Sequence, residues 1–380
     1  MESDSMKIGF DAKRALLNHS GLGNYSRNLI EGLLDCYPEH SYHLYSPNEN
    51  LTYSKELDQH SNENLIYHYP TSYFQKKMTS YWRRNLISAE IKASKIDVYH
   101  GLSHELPIGI EKSGARSIVT IHDLIFERYP SYYPMIDRFF YRNKIKHACR
   151  VADQIVAISN QTKSDLVDFY KINSKKIQVI YQGCDSSYSK MDRDDSLVKN
   201  LNLPEKFILC VGTFSKRKNH LIVLKAFLNI KSEVNEKVVF VGKGGDNLSE
   251  INCYIEQNNL KDDIVFLTDC SNEQLRQIYL RASLLVYPSE FEGFGIPILE
   301  AFSSNIPVLT NNKDVFREAG GEAAVYVDIS NQRAFSIQMK SILENELLRR
   351  KCIENGTQQL ELFSKDKIAK GYMNLYKKWC

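Results

Sequence analysis

Short apolar runs of strand length alternate with amphipathic helical patterns along almost the whole chain. Clear strand-like runs are 7–11, 42–45, 97–100, 117–121, 154–158 and 178–180, and then 207–211, 238–241, 264–266, 284–287, 308–309 and 325–327. This alternation is typical of βαβ units, in which helices join parallel strands. A polar stretch rich in Asp, Ser and Lys separates the two series. The sequence therefore predicts an α/β protein with two doubly wound sheets.

The polar stretch also predicts the domain limits. We predict a first domain over 1–183, a linker over 184–204 and a second domain over 205–362. A last helix over 363–380 is expected to pack back on the first domain. In doubly wound sheets, ligands bind outside the carboxyl ends of the strands. We therefore expect a site in a cleft between two facing sheets.

Charge and composition exclude several classes of protein. The formal net charge is only +3, which does not indicate a partner such as nucleic acid. The 8 cysteines form no CxxC pair and no zinc-ligand spacing, so we expect free thiols in a reducing cytoplasm. No apolar run reaches the roughly 18 residues that a membrane span requires. Any membrane contact would then be peripheral, on the inner face of the cell membrane.

The most informative motif is the run PSEFEGFGIPILEA at 288–301, which follows a buried strand. Gly293 and Gly295 allow the backbone to approach a ligand closely. A proline two residues later suits the first turn of a helix, whose free amides and dipole favour a diphosphate. We therefore expect 293–296, that is Gly293, Phe294, Gly295 and Ile296, to contact a nucleotide ligand. Glu292 would lie near a sugar and Glu300 near a ribose.

A second motif is the cationic loop VGTFSKRKNH at 211–220, directly after another strand. Arg217 and Lys218 belong to three consecutive cations, and such a loop can neutralise a diphosphate. In the first domain, Gly21 and Gly23 occupy a predicted loop between the first strand and the first helix. They do not complete a dinucleotide fingerprint, because position 26 is a serine.

Polar residues also follow other strands of the first domain. His122 and Asp123 end one strand, and Asn160 follows the next. Asp11 ends the first strand. We treat Asp11, Asp123 and Asn160 as candidates for the acceptor side of the site.

These motifs carry a family resemblance. The run 288–302 resembles the Glu-x7-Glu motif of retaining glycosyltransferases of family 4, with Glu292 and Glu300 at the two acidic positions. The segments 271–279, 305–309 and 317–324 are similar to neighbouring segments of that family. The resemblance implies a GT-B fold, with two Rossmann-like domains and a nucleotide-sugar donor held by the second. The pattern GFD followed by GLGN near the amino terminus resembles a branch that includes many mannosyltransferases of surface-polysaccharide assembly.

The resemblance also implies individual roles. Lys218 matches a lysine that holds the donor phosphates. The arginine that usually follows the glycine is Thr213 here, so Arg217 would take over its role. His122 would lie beside the reacting sugar, and the loop with Gly21 and Gly23 would reach the donor phosphates. The acceptor, a glycan or lipid-linked glycan, would bind to the first domain.

The implied reaction is a hexose transfer with retention, without a metal or another cofactor. The departing phosphate oxygen would take the acceptor proton, so no general base is assigned. GDP-mannose is the first expected donor and a UDP-sugar the second. Asp192 and Asp194 look like a metal-binding Asp-x-Asp pair, but they lie in the polar linker rather than after a strand.

Three alternatives remain open at the sequence level. The chain could be a nucleotide-sugar epimerase of GT-B architecture, although the Glu-Gly-Phe-Gly segment differs from epimerase motifs. An NAD-dependent oxidoreductase would need the missing glycine fingerprint. A protein that binds a nucleotide sugar without catalysis would not need all of Glu292, Glu300, Arg217 and Lys218.

Two segments of the first domain mix cations with aromatic residues. They are 74–87, which contains no acid, and 138–144. Basic helices with aromatic side chains suit the headgroup layer of an anionic membrane. The competing interpretation is an ordinary pair of helices with aromatic residues in the core.

Overall fold

The computed structural model describes residues 5–18, 21–49, 53–61, 63–184, 188 and 192–378. Within these ranges the strands are β1 Lys7–Asp11, β2 Ser41–Tyr45, β3 Leu65–His68, β4 Val98–Gly101, β5 Arg116–Ile121, β6 Gln154–Ala157, β7 Ile177–Val179, β8 Phe207–Val211, β9 Lys237–Val241, β10 Ile264–Leu267, β11 Leu284–Tyr287, β12 Val308–Asn311 and β13 Ala324–Val327. The helices are α1 Lys13–Leu17, α2 Gly21–Cys36, α3 Ser54–Asp58, α4 Tyr73–Lys77, α5 Thr79–Tyr81, α6 Ile87–Ala93, α7 Ile125–Arg128, α8 Met135–Val151, α9 Asn160–Tyr170, α10 His220–Ile230, α11 Leu248–Gln257, α12 Asn272–Tyr279, α13 Ile296–Ser303, α14 Asp314–Gly320, α15 Gln332–Glu344, α16 Glu346–Leu360 and α17 Lys365–Lys377.

The chain divides into two compact units. The N-terminal unit contains 1–183 and 363–380, and the C-terminal unit contains 184–362. The stretch 184–204, predicted as a linker, groups with the C-terminal unit. Six of its residues, 185–187 and 189–191, lie outside the described ranges.

The N-terminal unit contains a parallel sheet in the order β3-β2-β1-β4-β5-β6-β7. Alternate strand residues enter two different apolar clusters. Val98 and Ile118 pack with α2 and α17, whereas Tyr99 and Val119 pack with α6 and α8. Helices therefore cover both faces of the sheet, as parallel strands require.

The last helix of the chain is part of the N-terminal core. Tyr372 and Tyr376 on α17 are fully buried, and the Tyr376 hydroxyl lies 2.8 Å from Nδ1 of His100 on β4. His100 Nε2 lies 2.8 Å from the hydroxyl of Thr120 on β5. This satisfied polar network joins α17 to the centre of the sheet.

The C-terminal unit contains a second parallel sheet, in the order β10-β9-β8-β11-β12-β13. Strand residues such as Ile208 and Phe240 pack with α10, α11 and α15. α15 and α16 are separate helices, because Asn345 caps α16 by accepting a hydrogen bond from the Leu348 amide at 3.0 Å. Both units are thus Rossmann-like, which confirms the predicted fold class.

Candidate functional site

In the C-terminal unit, the two sequence motifs meet at the carboxyl edge of neighbouring strands. β8 leads into the loop with Arg217 and Lys218, and β11 leads into the loop with Glu292. The amide of Glu290 donates to the Arg217 carbonyl at 2.8 Å, which fixes the two loops together. Parallel neighbours explain the proximity of segments that are about seventy residues apart in sequence.

The centre of this site is an ion-paired cluster of one carboxylate and two cations. Glu292 Oε1 lies 2.6 Å from Arg217 Nη1 and 2.6 Å from Lys218 Nζ. Their side chains are only 13%, 16% and 14% exposed, respectively. Lys218 also donates to the Tyr287 hydroxyl at 3.2 Å, and Arg217 donates to the Phe291 carbonyl. With two cations and one carboxylate, the cluster therefore has one net positive charge.

The electrostatics fix the protonation of Glu292. Burial alone would disfavour its charged form, but the cations of Lys218 and Arg217 outweigh burial and lower its pKa to about 2. Glu292 is therefore a carboxylate at neutral pH. It can accept hydrogen bonds from hydroxyls, but it has no proton to donate.

The loop continues into α13, whose start is shaped by a glycine. Gly295 has φ +144°, which side chains rarely adopt, and a Cβ there would lie 3.2 Å from Ile298. Pro297 occupies the first turn of the helix, as predicted. The Phe294 side chain is buried, so only its backbone could contact a ligand. The amino end of α13 carries the positive end of the helix dipole, which favours an anion.

Glu300 lies in the second turn of α13 and is 9% exposed. It accepts a hydrogen bond from the Tyr279 hydroxyl at 2.8 Å. The rings of Tyr279 and Tyr188 make an edge contact with centroids 5.6 Å apart. Neither tyrosine was predicted from the sequence to belong to the site. Tyr279 could have been found, because it is the last residue of 271–279, a segment that is similar to the family.

The candidates of the N-terminal unit are distributed over several contacts. His122 follows β5 and is 4% exposed, with Nε2 2.8 Å from the Leu102 carbonyl. Since a carbonyl only accepts, Nε2 carries the proton. Burial, reinforced by His104, lowers the His122 pKa to about 3. His122 is therefore a neutral imidazole whose Nδ1 can accept a hydrogen bond, and it supplies no positive charge.

The acceptor-side candidates make structural contacts. Asp11 binds the Arg83 guanidinium through both oxygens, with the shortest contact at 2.7 Å. Asp123 accepts from the Ile125 amide at 3.1 Å, at the start of α7. Asn160, the first residue of α9, donates to the Tyr181 hydroxyl at 3.1 Å. Asp11 is the last residue of β1, whereas Asp123 and Asn160 follow β5 and β6, and the three residues make separate contacts.

The predicted loop with Gly21 and Gly23 is wrong, because both residues lie in the first turn of α2. A Cβ on Gly23 would come within 2.0 Å of the Asn18 carbonyl oxygen, so glycine permits a close approach of helix and chain. This packing requirement outweighs the low helix propensity of glycine.

The two Asp-x-Asp residues have no metal-site geometry. Asp194 Oδ1 caps a short turn by accepting from the Ser196 amide at 2.9 Å, and the Asp192 carbonyl accepts from Gln277 at 2.9 Å. Within the described ranges, no three His, Cys, Asp or Glu side chains are grouped so that they could hold a metal ion.

The prediction that 74–87 faces a membrane is partly wrong. Trp82 is fully buried and donates to Glu90 at 2.6 Å. Arg83 is held between Asp11 and Glu105, both at 2.7 Å, so it cannot face a membrane. The competing interpretation, in which aromatic residues face the core and cations face water, therefore holds for Trp82 but not for Arg83, which is held in a largely buried ion pair. Other apolar side chains of the two segments and their borders are exposed, namely Tyr73, Phe74, Met78, Tyr81, Met135, Ile136, Phe139, Phe140 and Tyr141.

Comparisons with known proteins agree with this geometry. The model of "Glycosyltransferase Family 4" matches 19–188, and that of "Glycosyl transferases group 1" matches 192–359. The chain therefore belongs to the family 4 glycosyltransferases and is a glycosyltransferase enzyme.

Individual relatives and a solved structure show which transferases and which fold the chain resembles. The chain is 24% identical to O-antigen chain mannosyltransferase B of Escherichia coli, over 98% of this chain and all of that protein. It is 27% identical, over 58% of each, to N-acetylgalactosamine-N,N'-diacetylbacillosaminyl-diphospho-undecaprenol 4-alpha-N-acetylgalactosaminyltransferase of Campylobacter jejuni. Anabaena HepE, solved with UDP and glucose, shares the fold with a TM-score of 0.73 and 16% identity, over 98% of this chain and 99% of that one.

Proposed function

We propose that this enzyme transfers a hexose from a nucleotide diphosphate sugar to a lipid-linked glycan during surface-polysaccharide assembly, with retention of configuration. The observation that carries the proposal is the partly buried Arg217–Lys218–Glu292 cluster in the C-terminal unit, which also contains the amino end of α13. This arrangement provides cations for a leaving diphosphate and a carboxylate for sugar hydroxyls. GDP-mannose is the first donor to test, since the Escherichia coli relative is a mannosyltransferase. UDP-sugars are the second.

The chemistry follows from charge. When the bond between the anomeric carbon and the phosphate oxygen breaks, negative charge grows on the diphosphate. Arg217, Lys218 and the α13 amides would stabilise that charge, since preorganised donors are the main catalytic resource for such steps. The proton of the acceptor hydroxyl would pass to the departing phosphate oxygen, so no side chain is needed as a base. Glu300, held by Tyr279, would bind the ribose hydroxyls.

We further propose that no divalent metal takes part, because two side-chain cations can fulfil the charge-neutralising role. Release of nucleoside diphosphate from GDP-mannose and from a panel of UDP-sugars, in excess EDTA, tests both proposals. We expect one donor to be consumed at the same rate with and without EDTA. Loss of activity that magnesium or manganese restores would contradict the metal-free mechanism.

The lipid-linked acceptor is proposed from the surface of the N-terminal unit. Phe139 and Phe140 on α8 are exposed, and they lie among Arg138, Arg142 and Lys146. An exposed apolar face with adjacent cations fits an anionic bilayer surface. No described helix is long and apolar enough to cross a membrane. The Campylobacter jejuni relative, whose name specifies a diphospho-undecaprenol substrate, also supports this proposal.

A further inference from the structure

The N-terminal unit contains a cavity of about 280 Å³ at the carboxyl edge of its sheet. Its lining comes from segments that follow β1, β4 and β5, namely Arg14, Leu22, Ser103, His104, Glu105 and Asp123, and from α7, α8 and the chain between them, namely Phe126, Tyr133, Tyr141, Lys144 and Ile145. From β1 the strand order continues through β2 to β3, and from β4 it continues in the opposite direction through β5 to β7. The order therefore reverses between β1 and β4, and doubly wound sheets bind ligands at such a switch point. We call this cavity the α8 pocket.

Some charged side chains of the α8 pocket have ion-pair partners and one does not have a partner among the described residues. Glu105 is bound by Arg83 and by Lys144, both at 2.7 Å, and Arg83 also binds Asp11. Arg14 is half-buried, yet its side chain makes no ion pair or hydrogen bond with any described residue. A half-buried guanidinium with no partner among the described residues is suited to a phosphate oxygen, which it can bind in a bidentate manner.

The neighbouring residue, Lys13, is affected by the same charges. Lys13 is also half-buried, and its pKa is lowered first by burial and then by the cations of Arg83 and Arg14. The acids Glu105 and Asp11 act in the opposite direction. An anion bound at Arg14 would offset the repulsion between Arg14 and Lys13.

Part of the wall of the α8 pocket is aromatic. The ring centroid of Phe126 lies 5.7 Å from that of Tyr141 and 6.4 Å from that of Tyr133. The rings of Tyr133 and Tyr141 complete the triangle at 6.4 Å. Flat apolar faces beside a few polar groups are typical of small-ligand pockets, and a volume near the low end of their range of roughly 300–1,000 Å³ suits one sugar ring.

We infer that the α8 pocket binds the first sugar and the adjoining phosphate of a lipid diphosphate-linked acceptor, with Arg14 on the phosphate and the three aromatic rings around the sugar. This inference rests on the proposed function and specifies its acceptor. We favour a lipid-linked sugar phosphate over a free one because a single helix, α8, connects the pocket with an exposed apolar surface. It supplies Tyr141 and Lys144 to the pocket and exposes Phe139 and Phe140.

Calorimetric binding of three probes to the full chain tests this assignment without requiring turnover. The probes are mannosyl farnesyl diphosphate, the uncharged farnesyl mannoside and mannose 1-phosphate. We expect the wild type to bind the lipid diphosphate most tightly. Arg14→Gln should weaken that binding by about ten- to hundredfold, as expected for the loss of a charged hydrogen-bonding partner. It should leave binding of farnesyl mannoside within about twofold, and Arg14→Lys should restore part of the affinity.

The control is Arg116→Gln, which removes an exposed cation from the amino end of β5, at the opposite edge of the same sheet. It should bind all probes like the wild type, and thermal melting should show Arg14→Gln to be folded. Equal binding of the lipid diphosphate by Arg14→Gln and wild type would overturn the role of Arg14. Equal affinity for mannose 1-phosphate and the lipid diphosphate would overturn the lipid-linked assignment. Failure of every nucleotide sugar to react, with intact Arg14-dependent binding, would overturn the proposed function instead.

Discussion

At the residue scale, Lys218 keeps Glu292 ionised, and we propose that it also provides a cation for the donor diphosphate. Lys218→Met is expected to lower kcat by about 10²–10³, the cost of one preorganised charge-stabilising group. It should also raise the pKa of Glu292 from about 2, because one of two compensating cations is lost. The acid limb of the kcat/KM pH profile should therefore move to higher pH.

Lys216→Met is the matched control for that measurement, since Lys216 lies in the same cationic turn but makes no ion pair with Glu292. The control should keep turnover and pH profile. A wild-type pH profile in Lys218→Met would show that this cation does not govern Glu292.

Glu300 gives a second prediction at this scale. Glu300→Ala should weaken binding of the donor nucleotide by at least about tenfold, because it removes the buried carboxylate that we propose accepts hydrogen bonds from the ribose hydroxyls. Tyr279→Phe should have a smaller effect, since it removes only the hydrogen bond that orients Glu300. Calorimetry measures both. Glu273→Ala, an exposed acid on α12, is the control. Unchanged affinity in Glu300→Ala would exclude Glu300 from the site.

Several of these relations could be predicted from sequence and others could not. The segments of Glu292 and Lys218 follow strands, so their meeting at one edge was predictable from fold class. The pairing of Asp11 with Arg83 could not be predicted, because 72 residues separate the two. In addition, Arg83 lies in a segment whose composition is typical of segments that bind a membrane surface. The lack of a partner for Arg14 among the described residues is likewise a property of tertiary packing, which no local pattern encodes.

At the element scale, α8 has a mixed character. Its buried residues Ile145, Ala148 and Cys149 cluster in its carboxyl half, while its amino half exposes Met135, Ile136, Phe139 and Phe140. Sequence periodicity indicated a helix but could not show which apolar residues the fold leaves uncovered. The same limit applies to α2, whose first turn contains Gly21 and Gly23, of which Gly23 packs closely against the Asn18 carbonyl.

The exposed half of α8 predicts binding to anionic vesicles. Wild type should sediment with vesicles of phosphatidylglycerol and phosphatidylcholine at low salt, and much less with phosphatidylcholine alone. Phe139→Ser with Phe140→Ser should reduce sedimentation strongly, because the apolar contact is lost. Phe169→Ser, an exposed phenylalanine on α9, is the control. Equal sedimentation of the double variant and wild type, or none by wild type, would contradict membrane docking.

At the scale of the whole molecule, buried neutral histidines predict sensitivity to acid. Burial lowers the pKa of His100 and His122 to about 3 and that of His104 and His220 to about 4. Unfolding restores a pKa near 6.5, so the unfolded chain binds more protons below that pH and stability falls as pH decreases from about 6.5 towards 4. Each histidine contributes up to about 1.4 kcal/mol per pH unit in this window.

Thermal melting between pH 7.5 and 4.5 measures this loss. His220→Phe should reduce the slope for the C-terminal unit, because the ring of His220 already packs among Phe214 and Phe240. A melting temperature that does not change over this range would contradict buried neutral histidines.

We propose that this chain is a retaining hexosyltransferase that uses the Arg217–Lys218–Glu292 cluster. Proton NMR can follow the reaction between GDP-mannose, or the UDP-sugar that the donor panel selects, and a synthetic lipid diphosphate-linked sugar. We expect a new glycoside whose anomeric configuration equals that of the donor, with one nucleoside diphosphate released per glycoside. A product of inverted configuration, or an epimerised sugar without a new glycosidic bond, would contradict this proposal.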